Sequence, residues 1–447
     1  MAIKYNIRDF IILFFLALLL RTTLFFIIQP YKNIDKLISS DAEGYNKIAI
    51  GLIEGRGYAP DDPFLSMIRT PGYPAIIALI YFIFGVHPYL VILFQVMIDS
   101  LLAVIIYKVI LILFNEKSAF IGGLLWAIEP FALIYTNQVV SDSIFVFFIV
   151  LFFYYFVKFF VKNKIKSLVV SAVLLGIAVY IRPIGIYLAI PFAVLIFLGK
   201  KDCLIIRSKY ALIFLLLSYG ILFPWIIRNK LMHKHYFFSI SMDYNSLVLY
   251  SVPVLASKMN MDIKEIQNTE LKQQYIQHGE LYKKDPYQYY QHFKKRSIDI
   301  TKANKIDYLR SFYKGILDLF FSVERKNFEN IAGINGIEID GVEIVLKNGV
   351  INTIKIVAKH FNKWTIIYCC FVLILLMAEY FLSIIGLIRI CFQKKIIICL
   401  LILLPIIYFS VIVGPAGLGR FKLPIIPFYL LFVSIFKTPS SMIKCDP

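Results

Sequence analysis

Charge is scarce in this chain, and negative charge scarcer still. Of 447 residues 17% are Asp, Glu, Lys or Arg, with 28 acidic against 47 basic. Beside 60% apolar residues and a mean hydropathy of +0.76, this excludes a soluble protein of such length. It fits a chain that crosses the membrane many times. The six cysteines are scattered and form no C-x-x-C, which argues against a zinc site or a disulfide framework. There is no G-x-G-x-x-G after a strand, no Walker loop, no G-x-S-x-G and no H-E-x-x-H, so nucleotide-driven transport and hydrolase chemistry lack their usual marks. Internal repeats and low-complexity segments are absent too. The net charge of +19 is spread between apolar runs and through one long polar segment, with no Lys/Arg block of the kind that binds nucleic acid.

What is present is a series of apolar runs. A spanning helix needs about 20 such residues. Candidates fall near 10–28, 88–113, 119–136, 141–160, 167–181, 183–199, 209–228, 364–390, 396–414 and 421–437. The first run follows Lys4 and Arg8 as a signal peptide would. It is long, interrupted by Arg21 and followed by no small-residue cleavage site, so it reads as a retained signal-anchor helix. One more run, 72–85, is short, rising only about 21 Å, less than the hydrocarbon core. If it lies at the interface or re-enters, the short clusters at Lys158–Lys166, Lys200–Lys209, Arg389–Lys395 and Lys437–Lys444 share the cytoplasmic side with Lys4 and Arg8. That is the arrangement the positive-inside rule demands.

This threading predicts an all-α integral membrane protein with about 10–12 transmembrane helices. Residues 1–228 form an N-terminal membrane module with an outer loop at 29–71. Residues 229–362 form a small, mostly helical extracytoplasmic segment, with a small hairpin suggested at 331–357, and 363–447 return to the membrane. The abundant Phe and Tyr read mainly as lipid-facing surface and interface belt.

The threading also gathers the unusual polar residues on the outer face. Asp41 and Glu43 open Asp-Ala-Glu-Gly-Tyr-Asn. An aspartate there is either a helix N-cap or a catalytic base at the bundle mouth, and Glu43 reads as first-turn helix charge. Asp142 begins the next helix and serves either as its start or as a second acid for an acceptor or divalent cation. Glu129-Pro130 is intramembrane, so Glu129 is either functional or part of a buried ion pair. Arg69, Arg182, Arg228 and Arg420 all map to the outer side, with Arg21 in the outer half of the first span. Snorkelling explains any one of them. Together they suit an anion such as a lipid phosphate, which guanidinium grips through two hydrogen bonds. Pro183 is expected to break the helix at Arg182. His233 and His235 read as solvated loop rather than metal ligands.

These residues compose a pattern. Asp41 to Tyr45 forms Asp-x-x-x-Tyr, and Arg69 to Pro74 forms Arg-x-Pro-Gly-Tyr-Pro. Arg182-Pro183 follows, then Pro-Trp-x-x-Arg-Asn at 224–229 and Arg-Phe-Lys-Leu-Pro-x-x-Pro at 420–427. In this order the set resembles the GT-C superfamily of polytopic glycosyltransferases, in the branch of protein O-mannosyltransferases and the lipid A aminoarabinose transferase. The resemblance covers the first 229 residues and the last 80 or so. It implies a GT-C-type helical bundle with an outer-facing cavity and a sugar donor on a polyprenyl phosphate. The acceptor would be a hydroxyl of a lipid, glycan or protein. It makes Asp41 the catalytic base and places Arg69, Arg182, Arg228 and Arg420 near the donor phosphate, with Tyr45, Tyr73 and Trp225 lining the cavity. Reaction would be a single inverting displacement, with no cofactor required and a divalent cation optional. The spacing Asp-Ala-Glu departs from the adjacent Asp-Glu of the best-studied members, which leaves the role of Glu43 open. The resemblance and the Lys-, Ile- and Phe-rich composition suggest a prokaryotic plasma membrane, with the N-terminus cytoplasmic.

Two other readings compete. A lipid-linked oligosaccharide polymerase or ligase would share the build, and Arg310 and Arg325 in the long outer segment would suit it. A transporter would show inverted repeats and broken helices at mid-membrane, whereas here the polar residues gather at one face.

Overall fold

The computed structural model describes residues 6–32, 38, 41–200, 202–334 and 359–435, with isolated positions between 345 and 357. Among these residues the structure is helical, without strands. The hairpin expected at 331–357 lies largely outside the described residues.

The N-terminal part runs through α1 (Ile7–Ile28), α2 (Asp41–Ile53), α3 (Pro63–Ile68), α4 (Gly72–Phe84), α5 (Pro88–Leu113), α6 (Glu116–Ile128), α7 (Pro130–Thr136), α8 (Asp142–Lys162), α9 (Ile165–Ile181), α10 (Ala189–Gly199), α11 (Leu204–Gly220) and α12 (Phe223–His233). After it come α13 (Val252–Met259), α14 (Ile263–Lys284), α15 (Pro286–Ala303), α16 (Lys305–Phe321) and α17 (Arg325–Ala332). The C-terminal part is α18 (Lys363–Phe392), α19 (Ile396–Val413) and α20 (Ile426–Val433).

Six of these stretches are long and apolar enough to cross a membrane, or seven if α6 and α7, bent by 49°, form one span. The other apolar helices, Gly72–Phe84, Ile165–Ile181 and Pro183–Gly199, are shorter. The run at 72–85 is accordingly a helix of 13 residues. The break at Arg182 is present: α9 ends there, and Pro183–Leu188 continues as a 3-10 turn because proline supplies no amide to the preceding carbonyls.

Helices α5 and α8 form the centre, with α1, α6 and α9 packed around them. Part of the aromatic content is core rather than lipid-facing surface. Phe145, Phe152, Phe153, Phe156 and Phe159 on α8 are buried, not turned to lipid. Phe152 and Phe156 meet the Phe192 ring edge-on at 4.9 and 4.7 Å, and Phe153 meets Phe428 at 5.0 Å. Lipid gives helices no hydrophobic reason to associate, so such interlocking contacts hold the bundle.

A second brace is ionic. Arg21, fully buried on α1, pairs with Asp99 of α5 and donates to the carbonyls of Ala127 at 2.9 Å and Trp126 at 3.2 Å. This pins α1, α5 and α6 together and takes Arg21 out of any anion site. Close backbone packing completes the frame. A Cβ on Gly72 would lie 2.7 Å from the Tyr180 carbonyl carbon and oxygen, so only glycine lets α4 approach the end of α9.

Candidate active site

Five charged side chains from separate elements converge at one end of the bundle. Asp41 is the first residue of α2, and Asp142 the first of α8. Arg69 ends α3, Arg182 ends α9, and Arg420 lies in the 3-10 turn Gly419–Lys422 between α19 and α20. Each sits at an element end, where a side chain can leave the apolar packing.

Arg420 bridges the two acids. Its Nη1 donates to Asp41 Oδ2 at 2.7 Å. Its Nε and Nη2 donate to Asp142 Oδ2 at 2.9 and 2.6 Å. Arg69 Nη2 donates to the other Asp41 oxygen at 2.7 Å, and Arg182 pairs with the other Asp142 oxygen. Three guanidiniums thus face two carboxylates, a surplus of one positive charge. The Asp142 side chain is fully buried, whereas that of Asp41 is 33% exposed, so of the two acids only Asp41 reaches the surface of the cluster.

Burial pushes the Asp41 carboxyl up, but the charges of Arg420 and Arg69 outweigh it and hold the group well below the usual carboxylate range. The Arg69 guanidinium lies 4.6 Å from the Tyr45 ring centre and donates to the Tyr45 hydroxyl at 3.3 Å, while its Nε is buried without a hydrogen-bond partner among the described residues. Tyr45 packs edge-on against Tyr73 at 4.8 Å. Tyr73 donates to Gln95 at 2.6 Å, and Gln95 donates to the carbonyls of Thr136 and Gln138 just before Asp142. Aromatic packing and hydrogen bonds therefore tie α2, α4, α5, α7 and the loop leading into α8 into one platform.

The other residues singled out lie elsewhere. Arg228 stacks on Trp225 at 4.7 Å and on Tyr58 at 5.3 Å, and donates to Ser66 Oγ at 3.0 Å. Tyr58 in turn donates to the Arg69 carbonyl at 3.0 Å. Arg228 and Trp225 thus support the Arg69 segment rather than join the cluster. Glu129 is buried at the α6–α7 bend, accepting from the Phe131 amide at 3.3 Å and facing Lys422. Glu43 is exposed.

Glu324 escaped the sequence reading. It precedes α17 in a left-handed backbone conformation, φ 54°. Its Oε2 accepts from Tyr135 and Asn327 at 2.6 Å each, and its Oε1 packs against Gly419, next to Arg420. The one cue in the sequence was its place beside apolar Phe320-Phe321 within the long polar segment.

The likeness to solved structures decides the fold. An archaeal oligosaccharyltransferase from Archaeoglobus fulgidus, AglB, in complex with an inhibitory peptide and a dolichol-phosphate, superimposes with a TM-score of 0.53. The match covers 95% of this chain at 13% identity. The chain carries the GT-C fold. Residues 68–227 match the family described as dolichyl-phosphate-mannose-protein mannosyltransferase, a stretch that holds Arg69, Asp142 and Arg182. The apo form of the Archaeoglobus oligosaccharyltransferase aligns over 93% of this chain at 12% identity and a TM-score of 0.48. The chain spans about half the length of these two proteins. No curated protein matches it in sequence.

Proposed function

We propose that this GT-C protein is a membrane glycosyltransferase that moves a sugar from a polyprenyl-phosphate carrier to a hydroxyl acceptor at the extracytoplasmic face. The carrying observation is the cluster of Asp41 and Asp142 with Arg69, Arg182 and Arg420, which has one positive charge in surplus. Its buried Arg69 Nε still has a hydrogen bond to give. A phosphate suits both features. The mannosyltransferase family match and the GT-C fold support the same class. Residues 1–228 and 363–447 are the membrane module, with 229–362 outside it.

The chemistry is one displacement. The acceptor oxygen attacks the anomeric carbon, and its proton passes to an Asp41 oxygen from which the donor phosphate has drawn an arginine away. The bond from that carbon to the phosphate oxygen breaks, and its electron pair leaves with the polyprenyl phosphate, whose charge the arginines stabilise. The anomeric centre inverts, and the two-carboxylate double displacement of retaining glycosidases is not needed. In the ligand-free arrangement Arg420 and Arg69 make Asp41 a weak base. A phosphate that draws these guanidiniums toward itself restores its basicity, so binding the donor prepares the base.

As arranged, the carboxylates are already neutralised by arginine. Among the described residues no three of His, Cys, Asp or Glu gather as metal ligands. A cation held between Asp41 and Asp142 would have to displace Arg420, so no step is routed through one.

The test is sugar transfer from polyprenyl phosphosugars by detergent-purified protein, wild type beside Asp41→Asn, with membrane extract as acceptor. Turnover that vanishes in a folded variant supports Asp41 as base. Equal turnover refutes that role. Product size separates transfer of one sugar from a preassembled glycan, the outcome the oligosaccharide polymerase or ligase reading requires.

A further inference from the structure

The turn that carries Arg420 holds a second cation whose role the transfer chemistry leaves open. Lys422 is fully buried. A lysine held inside a membrane bundle is costly unless its ammonium is satisfied. Here the Nζ donates to the carbonyls of Ser322 at 3.1 Å and Phe320 at 3.3 Å, at the C-terminal end of α16. It also lies 3.8 Å from the centre of the Phe131 ring. Glu129 at the α6–α7 bend, Glu379 on α18 and Glu324 all act on its charge.

A 3-10 turn advances three residues per revolution, so residues two apart point in divergent directions. Arg420 therefore reaches the two aspartates while Lys422 reaches into the bundle from the same turn. The Ser322 hydroxyl and Glu324 pack against Gly419 on the first residue of that turn.

We propose that Lys422 is a positioning residue, staking the Gly419–Lys422 turn to the carbonyl end of α16 and thereby fixing Arg420 between Asp41 and Asp142. The consequence for catalysis rests on the transferase reading, whereas the tether itself does not. The rival account is simple charge balance, in which Lys422 does no more than neutralise buried Glu129.

Three forms of the full chain in detergent separate the two: wild type, Lys422→Met, and Lys422→Met with Glu129→Gln. The single variant leaves buried carboxylates without their cation and is expected to lower the thermal midpoint. The double variant also removes Glu129, the largest carboxylate charge acting on Lys422, and is expected to recover most of the loss, since removing opposite buried charges together is far milder than leaving one alone. Amide hydrogen exchange and transfer are then read on the recovered protein. Exchange at 317–325 and 417–424 should rise at least tenfold while other segments keep their protection. Transfer should fall at least tenfold in kcat. A double variant with wild-type exchange in both segments and wild-type transfer overturns the proposal in favour of charge balance. If the wild type itself transfers no sugar from any polyprenyl phosphosugar, the transferase reading fails, and the exchange measurement alone decides the tether.

Discussion

Replacing Arg420 with methionine is the sharpest perturbation of the site. The change keeps a long unbranched side chain and removes three charge-assisted hydrogen bonds, one to Asp41 and two to Asp142. Bonds to charged groups contribute about 1.5–3 kcal/mol each and do not add fully. Losing one donor from a transition-state anion site costs about 2.7–4 kcal/mol, or roughly 10²–10³ in kcat. The Arg420 side chain is 21% exposed, so the lower end of that range is expected. The pH profile gives a second readout. Arg420 is the larger of the two charges lowering the Asp41 pKa, with burial opposing it. In wild type the acid limb of kcat/KM should lie below the ordinary aspartate value of about 3.9. In the variant Arg69 alone opposes burial, and the limb should move up. The stability sign is fixed by linkage. A depressed folded pKa adds stability that is complete well above the unfolded value and drains away as pH falls through the folded one. The variant has less to lose, so its thermal midpoint should vary less on acidification from about pH 5. The assays are transfer kinetics and thermal melts across pH on the same preparations. A fall of less than threefold in kcat, or an unmoved acid limb, refutes the reasoning.

Other outcomes follow from the same geometry. Gly72→Ala presses a methyl against the Tyr180 backbone and should lower stability by about 1–3 kcal/mol, read as a reduced thermal midpoint in detergent. Arg228→Ala removes the stack on Trp225 and Tyr58 but no bond to Asp41 or Asp142. It should reduce transfer less than tenfold and leave the acid limb in place, whereas a loss equal to that of Arg420→Met would put Arg228 in the site. Chelation with EDTA should leave turnover unchanged, and a loss restored by a divalent cation would overturn the metal-free mechanism.

The residues of the cluster were legible in the sequence for a physical reason. On a greasy background each charge is expensive, so Asp41, Asp142, Arg69, Arg182 and Arg420 stood out one by one. Their shared side of the membrane followed from the lysine clusters. The same contrast misleads where it lacks a partner to resolve it. Arg21 and Arg228 carried the same signature as the site arginines, and only packing shows that one braces α1 against Asp99 and the other stacks on Trp225. The core positions of Phe152 and Phe156 did not stand out, because a buried and a lipid-exposed phenylalanine look alike in an apolar run. Glu324 was hidden for the opposite reason: it lies in a segment rich in charge, where one more acid draws no notice.

The Arg420 bridge also sets a timetable for biogenesis. Asp41 meets Arg69 after 28 residues and Asp142 meets Arg182 after 40, so each acid has a cation soon after it leaves the ribosome. Arg420 follows Asp41 by 379 residues. At about 5–20 residues per second that interval is roughly 20–75 s. Until it ends, the nascent chain holds two half-sites, each a single ion pair, with nothing joining them. Arrival of the turn between α19 and α20 is thus the step that joins two locally satisfied pairs into one cluster, and a chain stalled before it would hold both pairs without the bridge.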